Sequence, residues 1–235
     1  MRSRRFPTRL LILGLLAGLT GCRIQSNPLQ NVGSSTFGAM ADPHAATLLQ
    51  SVKTAWSDLH TASGVVSFWE QKNDETSTST ANFYWSQPEK LRANITDSSS
   101  FSKRGVNLVY LGDGQITAKL GFFTKTFAYD DPQVESLWGY RIDQTDLKAF
   151  VTGLLDPGAT VQYAGSTTVG GRSADLLDVQ SPTLLPGLES TQMAIDSQTH
   201  LPCEVDGKNG NAVVFRAQVS QLTVNPQLPS DIFDL

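Results

Sequence analysis

Few residues in this sequence could do chemistry: two cysteines, Cys22 and Cys203, three histidines, His44, His60 and His200, and acidic pairs such as Asp130-Asp131. A nucleophilic site needs an activating base within reach, and a zinc site needs several ligands at fixed spacing. The histidines are scattered, with no i,i+4 pair and no neighbouring cysteine, so no metal is expected. Gly-x-Ser-x-Gly elbows, P-loops and dinucleotide fingerprints are absent from the sequence. Gly112-Asp113-Gly114 is followed by strand-like rather than helical sequence, which makes it a turn and not a phosphate cradle. Asp113 and Asp130-Asp131 lack the spacing and ligand number of a calcium loop. Cys203, flanked by Leu201, Pro202 and Val205, reads as a half-buried inert thiol, because a reactive one needs electropositive surroundings. The expectation is a protein without catalytic residues, metal or cofactor, and not an enzyme.

Cys22 is different. Arg2, Arg4, Arg5 and Arg9 precede the apolar run Leu10-Leu11-Ile12-Leu13-Gly14-Leu15-Leu16-Ala17, which has signal-peptide length and is too short to span a bilayer. The run ends in Leu19-Thr20-Gly21-Cys22, which resembles a bacterial lipobox. That resemblance implies that residues 1–21 are a lipoprotein signal peptide and that Cys22 carries acyl chains. Each methylene would hold the protein to a membrane by roughly 0.8 kcal/mol. Residues 22–42, rich in Gln, Ser, Asn, Pro and Gly without periodicity, read as the lipidated cysteine and a flexible tether. Arg23 is not the aspartate that resembles an inner-membrane retention signal in some diderm bacteria. The expected location is therefore the outer membrane facing the periplasm in a diderm, or otherwise the outer face of the cytoplasmic membrane.

The chain of 235 residues is 40% hydrophobic and 17% charged, enough apolar material for one core. Its net charge is −4, and four of its eighteen basic residues fall in the first nine positions, so the remaining body is more acidic still. Acidity argues against nucleic acid as a partner, since phosphate binding requires clustered Lys and Arg.

From Asp42 onward the pattern describes strands with two helices. Asp42 and Pro43 can start a helix whose stripe, Leu48, Val52, Trp56 and Leu59, carries it to about His60. From Ser63 the period becomes two: Val66/Phe68, Ala81/Phe83/Trp85 and Leu91/Ala93/Ile95 alternate with polar residues, as in a sheet with one apolar face. Leu108–Leu111 and Ile116–Leu120 flank an Asp-Gly hairpin turn. Further strands are expected at Thr124–Tyr129, Val161–Val169, Ala174–Gln180, Thr191–Asp196, Cys203–Asp206, Ala212–Gln221 and Leu222–Val224. A second helix, capped by Thr145, lined by Leu147, Phe150, Val151 and Leu154 and stopped by Asp156-Pro157-Gly158, interrupts the meander. The fold class is mainly β: one domain, residues 43–235, with a strongly curved antiparallel sheet and two helices.

Ten or so strands with one apolar face must close on themselves or be covered. Two short helices, each about 10 Å wide, cannot cover all of it. The inward residues Val66, Phe68, Phe83, Trp85, Leu91, Ile95, Phe127, Met193, Ile195 and Phe215 either interdigitate into a solid core or line a cavity under a helical lid.

Three segments resemble the outer-membrane lipoprotein carrier family (LolA/LolB-like) and related lipid-binding lipoproteins of bacteria: Phe83–Arg92, with its aromatic-Pro-Leu-Arg order, Ile195–Pro202, and Asn225-Pro226-Gln227-Leu228-Pro229 followed by Ile232-Phe233. The resemblance implies an incomplete half β-barrel holding acyl chains, lined by the ten residues named above, with Phe150 and Leu154 as lid contacts. Family members often place an Arg before the Pro to tie the lid shut; here that position is Gln87. The implied partners are an acyl lipid or lipoprotein acyl chains and, through Cys22, a membrane, with the protein acting as a monomer. Two other readings stand beside a carrier or acceptor: an envelope-stress sensor that binds a partner protein, which usually has a further C-terminal domain, and a purely structural envelope lipoprotein.

Overall fold

The structure, a computed structural model, describes residues 42–235. Cys22, the signal peptide and nearly all of the tether lie outside the described residues.

Helix α1 spans Pro43–Ser57. Asp42 caps it by accepting hydrogen bonds from the His44 and Ala45 N–H groups, and Pro43 occupies the first turn, where a missing donor costs nothing. The other Asp42 oxygen accepts from the Tyr163 N–H at 2.9 Å, and the His44 ring stacks on Tyr163 at 3.9 Å. That backbone hydrogen bond is the chief reason the Asp42 carboxyl sits below its usual range. The helix stops at Ser57, three residues short of the expected end, and Leu59 is buried in the connection that follows.

Six strands come next: β1 (Thr61–Lys72), β2 (Glu75–Ser86), β3 (Lys90–Ser98), β4 (Asn107–Tyr110), β5 (Gln115–Leu120) and β6 (Phe123–Ala128). After helix α2 (Leu147–Leu154) come β7 (Thr160–Val169), β8 (Arg172–Gln180), β9 (Ser190–Asp196), β10 (Pro202–Asn209) and β11 (Ala212–Val224). Asp146, not Thr145, caps α2, accepting from the Ala149 N–H at 2.7 Å. β11 runs on through Gln221, whose positive φ of 54° leaves one strand where the sequence suggested two.

All eleven strands form one antiparallel sheet in the order β6-β5-β4-β3-β2-β1-β11-β10-β9-β8-β7. Each half is a meander, and the β1–β11 pairing, with Phe68 opposite Ala217, joins them at the centre. The sheet is not closed: β6 and β7 are its edges. Laid flat, ten strand spacings would separate these edges by about 48 Å. Residues 129–159 connect them, so the chain must pass across the concave face, and this crossing segment carries α2.

The resembling motifs have visible structural work. Asn225 Oδ1 accepts from the His60 and Thr61 N–H groups and its Nδ2 donates to the Asp58 carbonyl, which clamps the α1–β1 junction. Arg92 Nη1 donates to the Ile232 carbonyl at 2.8 Å, bringing the Leu91-Arg92 and Ile232-Phe233 segments together. Asp196 Oδ1 accepts from Gln198 N, Thr199 N and Thr199 Oγ1, closing the β9–β10 turn in which His200 takes a positive φ of 53°.

The two halves of the concave face are filled differently. Over the β7–β11 half, α1 (Ala45, Leu48, Val52) and α2 (Val151, Leu154) pack on Leu177, Val179, Met193, Ile195 and Val205 in a solid cluster. At Gly207 a Cβ would come within 2.3 Å of Leu188 Cδ1 and 3.0 Å of Leu185 Cδ1, so any larger residue there would have to turn those leucine side chains aside. Over the other half the helices reach with their ends: Trp56 of α1 lies against Trp85 with ring centroids 5.2 Å apart, and Leu147 of α2 packs on the same cluster.

Candidate functional site

Across β1–β6 the inward residues stand in rows set by strand register. One row holds Ala62, Trp85, Leu91, Tyr110, Ile116 and Phe127. All but Phe127 are buried, and they pack with Leu59 and Leu201, closing that end. The next rows contain Phe83, Ala93, Leu108 and Ala118, then Val66, Ala81 and Ile95. Phe68 beside Ser79 and Ser98, and finally Glu70 beside Ser77, complete the face. The face is therefore graded along the strands, from bulky and apolar to hydroxyl-bearing and charged. Small residues in the middle rows (Ala81, Ala93, Ala118) leave space that larger side chains would fill. Phe83 leans across the remaining gap at Gly64, where a Cβ would meet its Cε1 at 3.0 Å.

The result is a cavity of about 540 Å³. That falls within the roughly 300–1,000 Å³ usual for small-molecule sites. Its second wall belongs to the crossing segment: Val134, Ser136, Tyr140, Ile142, Leu147 and Phe150. The exposed residues Ser102, Lys103 and Gln133 line its mouth. At the same end of the sheet, the β3–β4 loop and the β5–β6 turn present the exposed side chains of Phe101, Phe122 and Phe123.

Of the ten residues expected to line a cavity, Val66, Phe68, Phe83, Trp85, Leu91, Ile95, Phe127 and Phe215 do. Met193 and Ile195 do not: they face inward as expected, but on β9, where the helices pack against them and leave them fully buried. Phe150 reaches the cavity, whereas Leu154, one turn further along α2, points into the packed half. Gln87 makes no lid contact either; it is exposed and its N–H donates to the His60 carbonyl. Glu89, two residues on, is the lid contact at this turn, through an ion pair with Lys148 of α2. Both side chains are more than a third exposed, so the pair contributes little to stability. Firmer attachment comes from Trp138, whose Nε1 donates to the Gln71 and Val214 carbonyls at 3.1 and 3.3 Å, and from Tyr140, whose hydroxyl donates to the Pro186 carbonyl at 3.2 Å.

Two acids in the site had no place in the sequence expectations. Glu70, which continues the Val66/Phe68 alternation, is buried, and its Oε2 accepts from the Leu137 N–H at 3.1 Å. Burial first, and then the Glu70 charge, push the Tyr140 hydroxyl up to about 12. Asp146 lines the cavity at the start of α2, and burial, aided by Asp143, pushes its carboxyl up to about 7. The folded state thus holds this proton more tightly than the unfolded chain, whose carboxyl has the ordinary value of 3.8. That contribution to stability is complete below the ordinary value and is lost as pH rises through about 7. The melting temperature of the wild-type domain is expected to fall between pH 5 and pH 8. Asp146→Asn, which keeps a cap acceptor without a titrating group, should flatten that decline and melt higher at pH 8. Parallel slopes for the two proteins would acquit Asp146.

Cys203 is fully rather than half buried, and its thiol, pushed up to about 11 chiefly by burial, donates to the Ala194 carbonyl. No cluster of three or more metal-ligating side chains occurs among the described residues.

No protein-family profile matches the sequence, and no curated protein matches it. Solved structures do. The Mycobacterium tuberculosis lipoprotein LppX superposes with a TM-score of 0.52 at 17% identity, over 80% of this chain and 99% of LppX. The chain has the LppX fold. The incomplete barrel implied by the LolA/LolB-like motifs is thus the architecture present. Weaker likenesses include a lipoprotein-sorting protein domain from Vibrio parahaemolyticus (TM-score 0.44, 9% identity, 81% of this chain and 97% of that one). Another is a LolA-superfamily protein from Nitrosomonas europaea (TM-score 0.42, 10% identity, 80% of this chain and 96% of that one). At these identities the likeness concerns fold alone.

Proposed function

We propose that this protein is a lipid-anchored carrier or acceptor of the bacterial cell envelope that holds the acyl chains of a lipid or lipoprotein in its half-barrel, with Cys22 as the membrane anchor. One observation carries this reading: part of the concave face over β1–β6 is left unfilled, and the space is largely apolar, lidded and open at one end. An acyl chain in water costs roughly 0.8 kcal/mol per methylene relative to an apolar site, so a lipid of two or three chains needs such a shelter to leave a bilayer. The aromatic lining supplies area without a fitted shape, which lets cargo be released as well as held. The exposed tips Phe101, Phe122 and Phe123 beside the mouth suit exchange at a membrane surface. None of the helices among the described residues is long and apolar enough to cross a membrane, so anchorage falls to Cys22 in this reading.

The test is to purify the domain from residue 43 onward, extract it with organic solvent and identify what is released. Stoichiometric acyl lipid is the expected result. Repeated absence of lipid, together with no uptake of a fluorescent fatty acid, would leave the packed structural reading in its place.

A further inference from the structure

Glu70 Oε1 is a buried carboxylate oxygen with no hydrogen-bond partner, and the residue lines the cavity. A carboxylate accepts hydrogen bonds and donates none, so this oxygen requires a donor. The donors of the crossing segment are spent elsewhere. Leu137 N–H is used by Oε2, the Tyr140 hydroxyl by Pro186, and the Trp138 and Tyr140 N–H groups by Ser136 Oγ. In the adjoining rows Ser77 and Ser79 face the same end of the cavity, and among the described residues neither hydroxyl makes a hydrogen bond. Charge narrows the guest further. Glu70 and Glu135 line the space, the Glu204 carboxylate is engaged by Gln218 and Arg216, and Lys103 is the one cation among the described lining residues.

We propose that Glu70, Ser77 and Ser79 form an acceptor subsite for the hydroxyl head of a neutral amphiphile whose chain runs toward Phe83 and Leu91. This rests on the reading of the cavity as an acyl-chain site and adds to it the class of head group: uncharged and hydrogen-bond donating, such as a long-chain alcohol or an acylglycerol with a free hydroxyl. An anionic head would meet the carboxylate instead of a donor-seeking void.

The experiment displaces the neutral fluorophore N-phenyl-1-naphthylamine from the full mature chain with three probes of equal chain length: 1-dodecanol, methyl dodecanoate and dodecanoate. Dodecanol is expected to bind at least fivefold tighter than either of the others. Glu70→Gln, which supplies a donor and removes the charge, should erase the preference over dodecanoate. Ser77→Ala with Ser79→Ala, which leaves the Leu137 contact intact, should weaken dodecanol several-fold and leave methyl dodecanoate unchanged. If all three displace the fluorophore equally and neither variant alters the ratios, Glu70 is only a lid anchor satisfied by water. The proposal then falls while chain binding stands. If no probe displaces the fluorophore from the wild type, the cavity reading fails, and the subsite with it.

Discussion

Ala93→Trp is expected to empty the protein of lipid without unfolding it. Ala93 lies in the middle row of β3, between Phe83 and Leu108, and faces the cavity. An indole there occupies the space a chain would use. Excluding only two methylenes removes about 1.6 kcal/mol of transfer free energy, more than a tenfold loss of affinity. Uptake of a hexadecanoyl fluorophore should therefore fall at least about tenfold. Because the ring enters a void rather than a filled core, the overpacking penalty of roughly 1–3 kcal/mol is avoided, and the melting temperature should hold or rise. Unchanged uptake in a folded variant would show that cargo does not use this space. A lowered melting temperature would show that the face is packed.

Phe215→Ala is expected to give the largest loss of stability. Its ring is fully buried on β11, meets the rings of Phe68 and Tyr140 edge-on at 6.2 and 5.7 Å, and belongs both to the packed cluster and to the cavity wall. Phe→Ala in a core costs about 3–5 kcal/mol. For a domain of this size that corresponds to a melting temperature about 10 °C lower. The Phe68 and Tyr140 rings, left without their common partner, should also loosen the lid, so fluorophore uptake should become faster. Calorimetry and stopped-flow uptake check both parts; a loss under about 1 kcal/mol would mean the ring is not a wall between the two halves.

What could be read in the sequence was local. The Asp42-Pro43 start of α1, the Asp-Gly hairpin after β4 and the alternation in β1 to β3 each rest on contacts a few residues apart. Six lining residues, Val66, Phe68, Phe83, Trp85, Leu91 and Ile95, followed from that alternation, because period two assigns a face even when the neighbouring strand is unknown. The division of the inner face into a packed and a hollow half was not legible. It depends on where α1 and α2 come down, which is decided by contacts such as Asp42 to Tyr163, 121 residues apart. Met193 carries the same inward signal as Phe83, but only the former lies under the helices. Glu70 is not legible in the sequence, because an acid continuing an apolar alternation looks like a strand reaching water. Only the Ser136–Leu137 stretch folding over it makes it buried. The lid contact at Glu89 rather than Gln87 likewise follows from where Lys148 arrives.

The segment from residue 129 to 159 is fastened at both ends to opposite margins of the same sheet, β6 and β7. It behaves as a strap rather than as a door on a hinge. Extended, its residues would reach well past the roughly 48 Å that separates those margins in a flat sheet, so its length sets no limit. The limit lies in where it is pinned on the way across, by Trp138 to the Gln71 and Val214 carbonyls and by Tyr140 to the Pro186 carbonyl. Under the proposed function, freeing those pins, and not adding residues, is what would admit a bulkier guest.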